Sequence, residues 1–209
     1  MRMQGPGMTW QEMLAIVCGS GILSAIITLG GEYFFKSSDY KRDYYKKIID
    51  KRLNAYEELE AFIGLMDIEI TYELEYADAE AYGRSKITTL SCFCNIDELK
   101  SILDKSITIC ALDTWYSPGV KELVNLLNKR LVECLDLVGK PSQEKLKKAG
   151  VDFLGDINPQ NMALCMVVGE KNEANLRAIL TAIKTFVIED RMTLHKVDKF
   201  FKKKAESPI

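Results

Sequence analysis

The 209-residue chain has a single histidine, His195, and only five prolines. One histidine leaves little room for a conventional zinc site, which would have to draw on scattered thiols. The six cysteines at 18, 92, 94, 110, 134 and 165 contain no C-x-x-C; the only close pair is C-F-C at Cys92 and Cys94. They read as reduced, mostly buried thiols, and no metal or cofactor is expected. There is no G-x-x-x-x-G-K-[ST] phosphate loop and no G-x-G-x-x-G turn, and the lone "CGSG" lies inside an apolar run. A Ser-His-Asp triad would have to use His195, and no G-x-S-x-G elbow accompanies it. Acidic residues are abundant, yet nothing in their spacing singles out a catalytic carboxylate pair. A net charge of −2 gives no global pull toward nucleic acid or membrane.

Charge is segregated, however. Met13 to Gly31, "MLAIVCGSGILSAIITLGG", runs 19 residues without a charge. As a helix it is roughly 28 Å long, about the thickness of a bilayer's hydrocarbon core. The preceding "MRMQGPGMTWQE" lacks the basic start and small-residue cleavage site of a signal peptide. The expectation is therefore an extracytoplasmic N-terminus over 1–12, a transmembrane helix over 13–35 and a cytoplasmic domain over 36–209. Orientation follows from flanking charge. Arg2 alone precedes the span, whereas Lys36 to Arg52 carries seven basic and three acidic residues. Trp10 and "EYFFK" sit where interfacial aromatics belong.

Within the span, Ala15 and Gly19, Ser20 and Ser24, and Gly21 and Ala25 are small residues one turn apart. Such spacing lets helices approach closely, so a homo-oligomer in the bilayer is expected. Ser20, Ser24 and Thr28 fall at i, i+4, i+8 and offer a weakly polar stripe for lining a pore.

Beyond the span the periodicity is helical, and no run shows strand alternation with hairpin turns. The first cytoplasmic helix is expected from near Ser38 to about Ile70. Tyr45, Ile49, Tyr56, Leu59, Ile63 and Met66 form its apolar stripe. Between Asn54 and Tyr82 there are nine acidic residues and no lysine or arginine. Such a run is either a solvated face, a face toward a basic neighbour in an oligomer, or one that repels nucleic acid. "EYADAEAYG" reads as a fraying helix or loop.

A helix capped by Asn95 follows, then one with Ser117 as N-cap and Pro118 at its first position, ended by Gly139 and Pro141. "SQEKLKKAG" starts a short helix closed by Gly150. "GDINPQN" is a loop, with Asn158 and Pro159 opening a short helix through Val168. A last long helix is expected after an Asn172 cap, with Leu176, Ile179, Leu180, Ile183, Phe186, Val187, Met192, Leu194, Val197 and Phe200 as its apolar positions. The fold class is thus all-α: a cytoplasmic helical bundle behind one membrane helix.

Arg191 and His195 lie one turn apart on that last helix and share a face. A histidine can move a proton at a ribose hydroxyl and an arginine can hold phosphate charge, so the two are the candidate catalytic residues. Both also suit the C-terminal end of a helix dipole. The tail "KFFKKK" reads as a solvated end or as a contact for anionic lipid.

One span, a basic-then-acidic helix, a helical bundle and "RMTLH" on the last helix together resemble the membrane accessory protein of type VI-B CRISPR systems. The resemblance implies a HEPN-like helical domain and a ring-shaped oligomer that opens a pore in the bacterial inner membrane. It also implies a functional partner, an RNA-guided RNase, and a role in antiphage defence. HEPN nucleases usually hold arginine and histidine further apart, with a polar residue after the arginine. Here only Met192 to Leu194 intervene. The expectation is accordingly a nuclease-like shape with altered or no cleavage, and a membrane pore or depolarising effector rather than an enzyme. A membrane-tethered HEPN RNase and a non-enzymatic scaffold are the alternatives.

Overall fold

The structure is a computed structural model, described in backbone over residues 40–206 and in side chains over residues 40–197. The expected span over 13–35, with Ala15, Gly19, Ser20, Ser24 and Thr28, lies outside the described residues. Among those described, no helix is long and apolar enough to cross a membrane.

The chain divides into two units, Met1–Ile48 and Ile49–Ile209. In the first, residues 40–48 are helical and almost wholly exposed, with the Tyr44 and Tyr45 rings edge-on at 6.1 Å. Tyr45, expected in the buried stripe, is half exposed. Helix α1 is counted from the first described residue (40–66); its residues in the second unit bury Ile49, Tyr56, Leu59, Ile63 and Met66, as its periodicity demands.

The structure is mostly helical, but it is not all-α. Helix α1 stops at Met66, short of the expected Ile70, and the chain enters strand β1 (Glu69–Glu73). A short helix α2 (Tyr76–Tyr82) leads to strand β2 (Lys86–Leu90), which pairs antiparallel with β1. Ile70 and Tyr72 face Thr89 and Ile87 on the inner side. On the outer side the Thr71 and Thr88 hydroxyls share a 3.0 Å hydrogen bond, and Lys86 pairs with Glu73 at 2.7 Å. These are the cross-strand pairs that hold a two-stranded sheet together. No tight turn joins the strands; the intervening helix removes the hairpin signal from the sequence.

Helix α3 (Ile96–Cys110) is capped as its sequence requires, with Asn95 Oδ1 accepting from the Asp97 and Glu98 amides at 2.9 Å. Helix α4 (Pro118–Gly139) has Ser117 at the N-cap position, but the Ser117 hydroxyl makes no capping bond. Helix α5 (Gln143–Lys148) starts at a Ser142 cap and ends at Gly150, whose φ of 70° suits a residue without Cβ.

The two helices expected after Pro159 are one. Helix α6 (Met162–Glu206) runs 45 residues without a break, about 67 Å at 1.5 Å per residue. Asn161 caps it, accepting from the Ala163 amide at 2.9 Å. Asn172 is not a cap; its side-chain amide donates to the Val168 carbonyl at 2.8 Å inside the helix.

Residues 163–169 of α6 are buried on every side, the deepest continuous stretch described. Gly169 makes this possible. A Cβ there would lie 2.4 Å from Phe93 Cγ and 2.5 Å from Thr89 Oγ1. The helix therefore rests on β2 and on the short 3₁₀ turn Ser91–Phe93 at a distance no other residue permits. Phe186, Met192 and Val197, expected in the core, are exposed, because the second half of α6 is covered on one side only.

Candidate functional site

Arg191 and His195 come to different fates. Arg191 Nη1 lies 2.5 Å from Glu60 Oε2 of α1, in a pair about 40% exposed on each side. His195 is exposed, and among the described residues it has no hydrogen bond or ion pair. Leu194 between them is buried. One helical turn thus directs the arginine against α1 and leaves the histidine in solvent. The two share a stretch of helix, not a site.

The polar centre of this region is one residue earlier. Tyr56, wholly buried, donates its hydroxyl hydrogen to Asp190 at 2.7 Å. The same oxygen accepts from the Ser117 amide at 3.1 Å and from Arg52 at 3.4 Å. Arg52 Nε also donates to the Trp115 carbonyl at 3.0 Å, and Lys51 lies over the Trp115 ring at 5.1 Å. The Tyr56 and Tyr116 rings stack with centroids 5.7 Å apart. Burial, then the bond to Asp190, pushes the Tyr56 phenol above its ordinary pKa. Arg52, Tyr56 and Glu60 sit at i, i+4, i+8, so one face of α1 presents all three. This hub ties α1 to the start of α4 and to α6. The Tyr56 hydroxyl spends its hydrogen bonds inside the protein, on Asp190, Ser117 and Arg52.

Arg191 is also the last member of a ladder. Glu170, Arg177, Lys184 and Arg191 recur every seven residues along α6 and face the segment between α1 and β2. Glu170 accepts from Tyr82 at 2.6 Å and pairs with Arg84. Arg177 pairs with Glu69 and, at 2.8 Å, with Glu173. Lys184 pairs with Asp67 and Arg191 with Glu60. Three acids of the run, Glu60, Asp67 and Glu69, therefore have their basic neighbour on α6 of the same chain. Burial and the Glu170 bond push Tyr82 up to about 12. The seven-residue spacing of charges was visible in the sequence, but its partners became identifiable only once β1 and β2 were placed.

The buried thiols are inert. Cys92, Cys134 and Cys165 are buried, and the five described cysteines form no disulfide. Burial pushes Cys134 and Cys165 up to about 12 and raises Cys92 further, so all three stay protonated and unreactive near neutral pH. Among the described residues, no group of three or more His, Cys, Asp or Glu side chains is arranged to hold a metal ion. No protein-family model, no curated protein and no solved structure matches the chain.

Proposed function

We propose that this protein is a membrane effector that works by assembling, as an oligomeric ring that opens or depolarises a bilayer, and not by cutting a substrate. The observation that carries this reading is the state of Arg191 and His195. The guanidinium is held by Glu60, and the imidazole is exposed with no partner among the described residues. A phosphate would have to displace a carboxylate before the arginine could stabilise it. Among the described residues, no second group is placed to orient the imidazole as a general base requires. The charge-free segment from Met13 to Gly31 and its paired small residues supply the membrane part of the proposal. By resemblance, the proposed setting is the bacterial inner membrane with this domain in the cytoplasm, beside an RNA-guided RNase in CRISPR antiphage defence.

Light scattering of the full chain in detergent, with dye release from liposomes, tests the proposal. The expected result is a defined oligomer that releases dye. A monomer without leakage overturns it, and an oligomer without leakage points to a scaffold instead.

A further inference from the structure

The outer face of α6 differs from the exposed faces of α3 and α4. Ala174, Ala178, Thr181, Thr185, Ile188 and Met192 are all exposed and recur at alternating intervals of four and three residues. They form one line along the helix, and none is charged. The exposed lines there carry charge at almost every turn: Asp97, Lys100 and Asp104 on α3, and Lys129, Glu133 and Asp136 on α4. Ile188 and Met192 are 56% and 54% exposed, so two large apolar side chains meet water on a line with no charge to solvate it.

The flanks are prepared as well. Toward α1 and β1 stand Arg177, Lys184 and Arg191, each already neutralised by an acid of its own chain. Toward α4 stand Asn175, Ala182 and Phe186, with Phe186 lying against Gly119. Glu189 is the one charge on that side within the line's length.

We infer that this line is the surface along which two copies of the chain pair, antiparallel, through α6. The occupant follows from side-chain size. The alternating four-three interval is a coiled-coil seam, in which residues of one helix fill gaps in the other. The line is thin at its N-terminal end, with two alanines, and thick at its C-terminal end. Parallel pairing sets Met192 on Met192 and leaves Ala174 facing Ala174 across a gap. Antiparallel pairing about a two-fold axis between Thr181 and Thr185 sets Met192 against Ala174, Ile188 against Ala178 and Thr185 against Thr181. Each contact then occurs twice, as a closed two-fold interface requires. His195 lies beyond the last of these layers.

Area decides how strong the pair is. From Ala174 to Met192 the line is about 27 Å long, and with a helix width of ~11 Å its footprint is roughly 300 Å² per copy. A standard stable interface buries about 800 Å² per partner. The pair is thus weak in dilute solution and forms where copies are already concentrated, as in a shared bilayer. For that concentration it rests on the membrane assembly proposed above; its geometry does not.

Disulfide cross-linking of the full chain in liposomes tests the pair, in a Cys18→Ser background run beside its unmodified control. Ala174→Cys and Met192→Cys are oxidised singly, mixed, and combined in one chain, then read as dimer on a non-reducing denaturing gel. The expected result is dimer from the mixture and from the double variant, and only background from either single variant. Adding Ile188→Glu to the double variant returns its dimer to background while the thermal melt stays in place. Self-cross-linking of each single variant overturns the antiparallel register. Oligomers without any 174–192 cross-link overturn the pair itself and leave the α6 face to another protein. Cross-linking without dye release keeps the pair and removes the pore; dye release without cross-linking does the reverse.

Discussion

The two ends of the described part of α6 are made by opposite means. Residues 163–169 are buried all round and seated by Gly169 against Phe93 and Thr89. From Leu176 onward only one side is buried, through Leu176, Ile179, Leu180, Ile183, Val187 and Leu194, while ion pairs guide one flank and water covers the outside. The first end is specified by shape. The second is specified by charge and apolar spacing, with a face left over. A helix continuous through both carries a rigid anchor out to a surface.

Substitutions at the buried end should have the largest effects. Gly169→Ala removes glycine's helix penalty, a gain of up to about 1 kcal/mol by propensity alone. The new methyl meets Phe93 Cβ and Cγ at about 2.5 Å, so we expect a net loss of about 2 kcal/mol from overpacking, read in a urea midpoint. A Gly169→Ala chain as stable as the parent contradicts the anchor.

Next comes the hub that ties the second end to α1 and to the start of α4. Tyr56→Phe leaves Asp190 and the Ser117 amide without their partner, which should cost about 1–3 kcal/mol in the same measurement. A neutral result would mean that water replaces the phenol without cost.

The same groups predict a loss of stability in alkali. Folding raises the pKa of Tyr56 and takes Tyr82 up to about 12, above the ordinary phenol value of 10.0. The stabilisation is complete below pH 10 and is lost as pH rises through the folded-state values, because unfolding then releases protons. Thermal melts between pH 9 and pH 12 should fall, and Tyr82→Phe should flatten the fall. A slope unchanged by Tyr82→Phe rules that phenol out as a cause.

The ladder should matter least. Glu60→Gln breaks a pair about 40% exposed on each side, so we expect a loss of under about 1 kcal/mol that shrinks in high salt. His195→Ala should leave stability within about 0.5 kcal/mol. A larger, salt-insensitive loss in Glu60→Gln would move the second end into the class of the first.

Local signals read well from the sequence: the Asn95 cap, Pro118 and Gly139 around α4, and Gly150 after α5 all stand where their chemistry puts them. What failed was long-range. "EITYE" alternates over only five residues and "KITTL" loses its alternation at Thr88–Thr89, too little to announce strands without a tight turn between them. The expected boundary between Val168 and an Asn172 cap rests on local chemistry, since asparagine is a favoured N-cap and glycine a poor helix former. A tertiary contact made the glycine indispensable, and an internal hydrogen bond occupied the asparagine. The pair Arg191 and His195 was legible as neighbours on one face, but Glu60, 131 residues away in sequence, decides what the arginine does.

The most direct test sets cleavage against leakage in one preparation: full-length chain in RNA-loaded, dye-loaded liposomes, parent beside His195→Ala. We expect equal dye release from both and intact RNA in both. RNA cut by the parent and spared by His195→Ala, with no dye released by either, would contradict an assembling effector and restore the nuclease.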